Sequence, residues 1–243
     1  MNEPTMNQPI TNEPTMNGVR VGLALARERL RGSSAPIVLS LSCAALFSIG
    51  VLERQSHAAS APDDVLRGAV FGIALPLSAY LVSERACAGQ RLERSVDGVA
   101  RYGSDRRAAL LGVLLASALC SAFAGALLTV AGLLGAHASH SRSLAFDLRV
   151  SIGIALLAGA VYALYFGAAS LLGKRGGGRK WALVIDFVLG SGGWALAAPW
   201  PRGHVRNLLG GEPVIALSQT SAWLALGVIG ATCLTLSVLR TDQ

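Results

Sequence analysis

The chain has 243 residues, of which 52% are hydrophobic and only 14% charged, and its mean hydropathy is +0.51. Soluble domains carry about 25% charged residues, so this chain cannot cover itself with polar surface, and a bilayer is its natural solvent. The excess of 21 Lys and Arg over 14 Asp and Glu gives a net charge of +7, which its distribution explains below without invoking nucleic acid.

The chain begins with "NEPTMN" at Asn2–Asn7, repeated at Asn12–Asn17. Polar, proline-bearing and without apolar period, residues 1–17 are expected to form a disordered tail. Met16 opens "MNGVRVGLALARERL" and reads as an alternative translation start. In that stretch Val19, Leu23, Ala26 and Leu30 fall on one arc of a helix, while Arg20, Arg27 and Arg31 cluster on another. The pattern predicts an amphipathic helix lying at the membrane surface.

A spanning helix needs about 20 apolar residues. Six segments, at about 36–52, 65–82, 108–136, 150–173, 181–200 and 217–239, meet that requirement. The six form one membrane domain, residues 18–243. "ASA" at Ala59–Ala61 fits a signal-peptidase site, but "LERQSH" intervenes and span one is expected to stay. Span two carries Pro76 near its middle, where the missing N–H predicts a kink. Span three is too long to stand upright and is expected to tilt, or to bend near Gly125 or Gly132.

Between spans two and three lies the most charged stretch, "GQRLERSVDGVARYGSDRRAALLG", Gly89–Gly112. Leu92, Val96 and Val99 share a helix face, with Gln90, Arg94, Asp97 and Arg101 opposite. Asp97 and Arg101 form an i, i+4 pair in the favourable order. Gly98 weakens the helix by about 1 kcal/mol relative to Ala, so it needs a partner or a lipid surface.

His137 and His140, between spans three and four, are spaced i, i+3 and are weak metal candidates. With no carboxylate or thiol partner they are expected to be solvated loop residues, like His57 and His204. "GKRGGGRK", Gly173–Lys180, is a short basic connection into span five. Asp186 is the one acid well inside a span, which makes it a candidate intramembrane polar site. It lies about 9 Å along a helix from Lys180. A structural role is favoured, either paired with a snorkelling Arg179 or Lys180 or facing the bundle interior. The segment from Pro199 to Thr220 is too polar to span and too apolar for a free loop, so short helices dipping into the outer leaflet are expected.

Fifteen of the 21 basic residues fall before span one, between spans two and three, between four and five, and after six. The positive-inside bias places both termini in the cytoplasm. Cys43, Cys87, Cys120 and Cys233 form no CxxC pair and read as packing residues.

Catalytic motifs fail one by one. "GAASLLGK" has five residues between its glycines where a phosphate loop has four, and no Ser or Thr after the lysine. No span contains a histidine to activate a serine. No H-E-x-x-H is present. A non-catalytic chain without a cofactor is expected.

The layout resembles the permease subunits of the type 2 ABC transporters, the ABC-2 exporters. Glu84, Gly89, "RLE" at Arg91–Glu93 and "YGSDRR" at Tyr102–Arg107 stand where that family carries Glu, Gly-x-Leu-Glu and Pro-x-Ser-Arg around its coupling helix, although Tyr102-Gly103 replaces the proline. The resemblance implies an all-α six-transmembrane-helix bundle. It adds an N-terminal amphipathic interface helix (Arg20, Arg27, Arg31), a cytoplasmic coupling helix and a re-entrant outer hairpin between spans five and six. It further implies a dimer of two such chains in the plasma membrane, driven by a separately encoded cytoplasmic ABC ATPase that docks on Gln90, Arg94, Asp97 and Arg101. The competing expectation is a polytopic assembly or interaction subunit without an ATPase.

Overall fold

The computed structural model describes residues 14–32, 34–57, 59–138 and 143–240. The described residues are helical, with no strand among them. The elements are α1 (Pro14–Arg31), α2 (Ala35–Ser56), α3 (Ala61–Asp64), α4 (Leu75–Ala86), α5 (Leu92–Ser95) and α6 (Asp97–Ala100). They continue with α7 (Arg106–Ala136), α8 (Leu144–Ala169), α9 (Gly178–Leu189), α10 (Pro201–Leu208) and α11 (Gln219–Leu239). A π-helical stretch, Val65–Ala74, joins α3 to α4.

Five helices are long and apolar enough to cross a bilayer: α2, the composite Ala61–Ala86, α7, α8 and α11. The molecule is therefore a multi-pass helical membrane protein. The sixth expected span, 181–200, is not one of these. Its helix α9 stops after 12 residues, about 18 Å at 1.5 Å per residue, against a hydrocarbon core of about 30 Å. The cause is "GSGG" at Gly190–Gly193, where backbone entropy disfavours helix, followed by Pro199 and Pro201.

Span two is longer than expected and does not break at Pro76. The preceding ten residues take π geometry, and the Leu75 N–H reaches back five residues to Val70. The wider turn gives the proline ring room, as π-bulges do inside α-helices. Span three is one unbroken 31-residue helix, with no interruption at Gly125 or Gly132. Those glycines serve packing instead: a Cβ on Gly132 would meet Val70 Cγ2 at 2.8 Å. Span four starts earlier than expected, at Leu144.

Helix α7 is the hub, packed against α1, α2, α4 and α8, while α11 lies on α8 and α10. The main core gathers Leu46, Val70, Leu75, Leu128, Ile154, Tyr162, Phe166 and Leu226. Phe166 stacks on Tyr162 with ring centroids 6.0 Å apart and meets Tyr80 edge-on at 5.8 Å. Small residues set the crossings. A Cβ on Gly159 of α8 would come within 2.5 Å of the Ser121 carbonyl of α7. In lipid, where no hydrophobic effect drives helices together, such close backbone approach supplies the dispersion contact.

The N-terminal helix begins at Pro14, so the last residues assigned to a disordered tail belong to α1; residues 1–13 lie outside the described residues. Its packed face also differs from the expected one. Gly18, Gly22 and Ala26 are buried against α7, while Val19, Leu23 and Leu30 are only partly covered. A Cβ on Gly112 of α7 would clash with the Val19 carbonyl and the Gly22 Cα. The helix therefore docks on the bundle along a seam of small residues. Arg20, Arg27 and Arg31 remain exposed.

Candidate functional site: a polar junction at one end of the bundle

A second apolar cluster lies where α1, the segment after α4, and the first turns of α7 meet. It contains Ala26, Ala86, Leu92, Val96, Ala109, Leu110, Val113 and Leu171, with Leu234 of α11 at its margin. Leu92 and Val96 are fully buried in it and Val99 packs against it, as the apolar period of the charged stretch predicts. The single expected helix is, however, two separate turns, α5 and α6. They part at Val96, whose ψ is 0°.

Arginines from α1, α7 and α9, and one of its own, fasten this segment. Arg29 of α1 donates to the Ala86 carbonyl and to the Ser95 carbonyl, both at 2.7 Å. Arg106 of α7 donates to Asp97 Oδ1 at 2.9 Å and to the Glu93 carbonyl at 3.2 Å. Arg91, within the segment, donates to the Leu171 carbonyl after α8 at 2.9 Å. Arg179, in the first turn of α9, has no exposed surface. Its Nη1 donates to Glu84 Oε2 at 2.6 Å and its Nη2 to the Gln90 carbonyl at 2.5 Å. The Leu92 N–H completes the set, donating to Ser170 Oγ at 3.2 Å. A helix shift in α1, α4, α7, α8 or α9 therefore pulls directly on the backbone of residues 86–97.

Cys87 lies beside two of these arginines, Arg179 and Arg29. Burial pushes its thiol above the ordinary value, against the opposing pull of Arg179 and Arg29. It is 2% exposed and makes no disulfide.

Of the residues expected to meet an ATPase, Gln90, Arg94 and Arg101 are exposed. Asp97 is half-buried, and its partner is Arg106, not Arg101. The break at Val96 removes the continuous helix that the i, i+4 pairing needs. Tyr102 is 92% exposed on the same surface. The sequence reading missed Arg29 and Arg106 as fasteners. The i, i+4 run of small residues Gly18, Gly22 and Ala26 would have turned α1 the right way and brought Arg29 inward.

Asp186 is the second site. It is buried, but neither Arg179 nor Lys180 reaches it: Arg179 is engaged with Glu84 and Lys180 is exposed. The Tyr162 hydroxyl donates to Asp186 Oδ2 at 3.0 Å, and the Arg202 backbone N–H donates to Oδ1 at 3.2 Å. The Arg202 guanidinium lies over the Phe187 ring, 4.1 Å from its centroid, in cation–π geometry. Asp186 thus faces the bundle interior and joins α8, α9 and the start of α10.

Helix α10 is the short element between α9 and α11. Pro201 starts it, and Gly203, His204, Val205, Asn207 and Leu208 are buried. His204 is not solvated: its Nε2 donates to the Ala198 carbonyl at 2.7 Å, since a carbonyl only accepts. Asn207 Nδ2 donates to the Leu217 carbonyl at 2.8 Å. His137 caps α7, and His140 lies outside the described residues. Among the described residues no three His, Cys, Asp or Glu side chains gather as a metal site would require. Compared with known proteins, the chain matches no family model, no curated protein and no solved structure.

Proposed function

We propose that this chain is the membrane-spanning, non-catalytic subunit of an ATP-driven exporter of the ABC-2 kind. In this reading two such chains line a pathway in the plasma membrane, and a separately encoded cytoplasmic ATPase supplies the energy. The basic junction faces the cytoplasm, in keeping with the positive-inside bias.

The observation that carries the reading is the construction of residues 86–106. One face is exposed and charged, with Gln90, Arg94, Arg101 and Tyr102 free for a partner. The other is hydrogen-bonded through Arg29, Arg91, Arg106 and Arg179 to α1, α7 and α9 and to the flank of α8. A wet loop needs neither the buried apolar pair Leu92 and Val96 nor four arginine clamps. A segment that must transmit a partner's motion needs both, because packed elements move as rigid bodies.

The test is affinity purification of the tagged chain from its native membrane. The expected result is stoichiometric recovery of a span-free protein bearing a true phosphate loop. The variant Arg94→Glu plus Arg101→Glu should lose that protein while remaining monodisperse. Recovery of the wild-type chain with no ATPase, or undiminished ATPase on the double variant, would refute the proposal.

A further inference from the structure

The same end of the bundle holds a cavity of about 540 Å³ that shares only Arg94 with the surface proposed to meet an ATPase. Arg91, Arg94, Leu171, Gly173, Lys174 and Arg175 line it. Two stretches far apart in sequence build it, one following α4 and one following α8. They are held together by the Arg91 bond to the Leu171 carbonyl and by Gly176, on which a Cβ would meet the Gln90 carbonyl at 2.8 Å. The second stretch is tightly folded. Gly173, Arg175 and Gly176 all have positive φ, at 78°, 53° and 71°. Arg175 takes a backbone conformation that favours glycine, and in it the loop brings two adjacent cations to the cavity.

The charge in the cavity is unbalanced. Four of the six residues that line it are cationic; among the described residues Glu93 Oε1 lies 3.5 Å from Arg91 Nη2, and Asp97 shares a neighbouring cleft with Arg94 without an ion pair between them. Among the described residues no acidic side chain pairs with Arg94, Lys174 or Arg175. Arg91 Nε is buried and has no acceptor. A concave surface lined by residues of one charge sign favours an occupant of the opposite sign.

Position selects the anion. Both stretches emerge from helices that span the bilayer, so the cavity lies at the depth of one leaflet's headgroups. Apolar side chains accompany it along the chain: Leu171 lines it, the adjoining Leu172 is 56% exposed, and Trp181, one turn into the helix that follows, is 69% exposed. A soluble anion has no use for exposed Leu and Trp. An amphiphile does, with its phosphate among the cations and its acyl chains along the helices. Basic pockets of this kind between transmembrane helices hold anionic headgroups, and Trp favours the interface.

We infer that residues Arg91, Arg94, Lys174 and Arg175 form a binding site for the phosphate headgroup of an anionic phospholipid from the surrounding leaflet. The site requires no ATPase and stands whether or not one docks nearby.

The test is native mass spectrometry of the purified full chain in detergent, titrated separately with dioleoyl phosphatidylglycerol, dioleoyl phosphatidylcholine and inorganic phosphate. The expected result is a saturable phosphatidylglycerol adduct on the wild type, with no comparable adduct of the other two. Lys174→Ala plus Arg175→Gly removes two cations, and the glycine suits the positive φ at 175. At about 5-fold per basic residue, its affinity for phosphatidylglycerol should fall about 30-fold, with an unchanged melting temperature in lipid-free detergent. Should that variant melt early, Arg94→Ala, an exposed position, is expected to lose about 5-fold. Equal binding of phosphatidylcholine, equal binding of inorganic phosphate, or unaltered affinity in the folded variants overturns the inference.

Discussion

Arg179 carries the highest electrostatic stakes in the molecule, because a guanidinium without exposed surface depends on Glu84 and the Gln90 carbonyl. Removing one partner of a buried pair costs about 3–5 kcal/mol. Glu84→Ala is therefore expected to destabilise the folded chain by about 3 kcal/mol, read as a drop in melting temperature in detergent. Cys87 offers a local readout of the same junction. Its buried, raised thiol should label slowly with maleimide at neutral pH, and Arg179→Ala should speed that labelling by opening the packing. Unchanged labelling would place Arg179 outside the forces that close the junction. At the second site, Asp186→Asn keeps the shape and one acceptor for the Tyr162 hydroxyl. If Asp186 is structural, this variant melts within about 1.5 kcal/mol of the wild type and transports normally. Tyr162→Phe, which deletes the donor and leaves Asp186 Oδ2 unpaired, should cost about 1–3 kcal/mol. A folded Asp186→Asn chain without transport would instead assign the carboxylate a direct role. The carboxylate itself was conspicuous in the sequence as a lone intramembrane acid. Its partners were not, because Tyr162 and Arg202 lie 24 and 16 residues away and pairing across helices leaves no local pattern.

At the level of elements, the sequence was most legible where apolar runs were long. Helices α2, α7 and α11 stand where hydropathy put them, and α8 overlaps its expected span with an earlier start, because about 20 apolar residues in lipid have few alternatives to helix. Legibility failed where composition and backbone disagreed. Residues 181–200 are apolar enough to span, yet four consecutive low-propensity residues, Gly190–Gly193, end α9 early. The Pro76 kink was expected from the missing N–H. The helix runs on through Pro76, and the turns before it widen into π geometry over Val65–Ala74, a cooperative adjustment that no single residue announces. The α1 case is different in kind. Its apolar arc suggested a lipid-facing helix, while its contact with α7 runs along Gly18, Gly22 and Ala26. Small residues carry little hydropathy and so drop out of an amphipathicity argument, although they decide how closely two backbones approach. Gly112→Leu should therefore expel α1 from α7. Faster proteolysis within residues 17–31, with the rest of the bundle intact, is the outcome to look for. Protection equal to the wild type would mean that α1 docks by other contacts.

Over the whole molecule, the chain divides its polar groups unequally between its two ends. One end gathers α1, the segment 86–106 and the basic connection 170–179, laced by arginines. The other carries α10, buried by its own His204 and Asn207 bonds. Hydropathy and charge alone disclosed the membrane class and the basic end, because both are sums over many residues. The clamps of that end were not readable, since each joins residues distant in the chain. The proposed exporter role rests on this asymmetry: a rigidly held, charged surface at the basic end, and a bundle of closely packed helices above it. The most direct test is site-specific photocrosslinking in intact cells from position 102, where Tyr102 is 92% exposed, with a control probe at the exposed Leu41 of α2. The account predicts one dominant crosslinked partner from position 102, a cytoplasmic protein with a phosphate loop, absent from the position 41 control and lost in the Arg94→Glu plus Arg101→Glu background. Crosslinks from position 102 that yield no ATPase, in cells where the chain is expressed and folded, would contradict it.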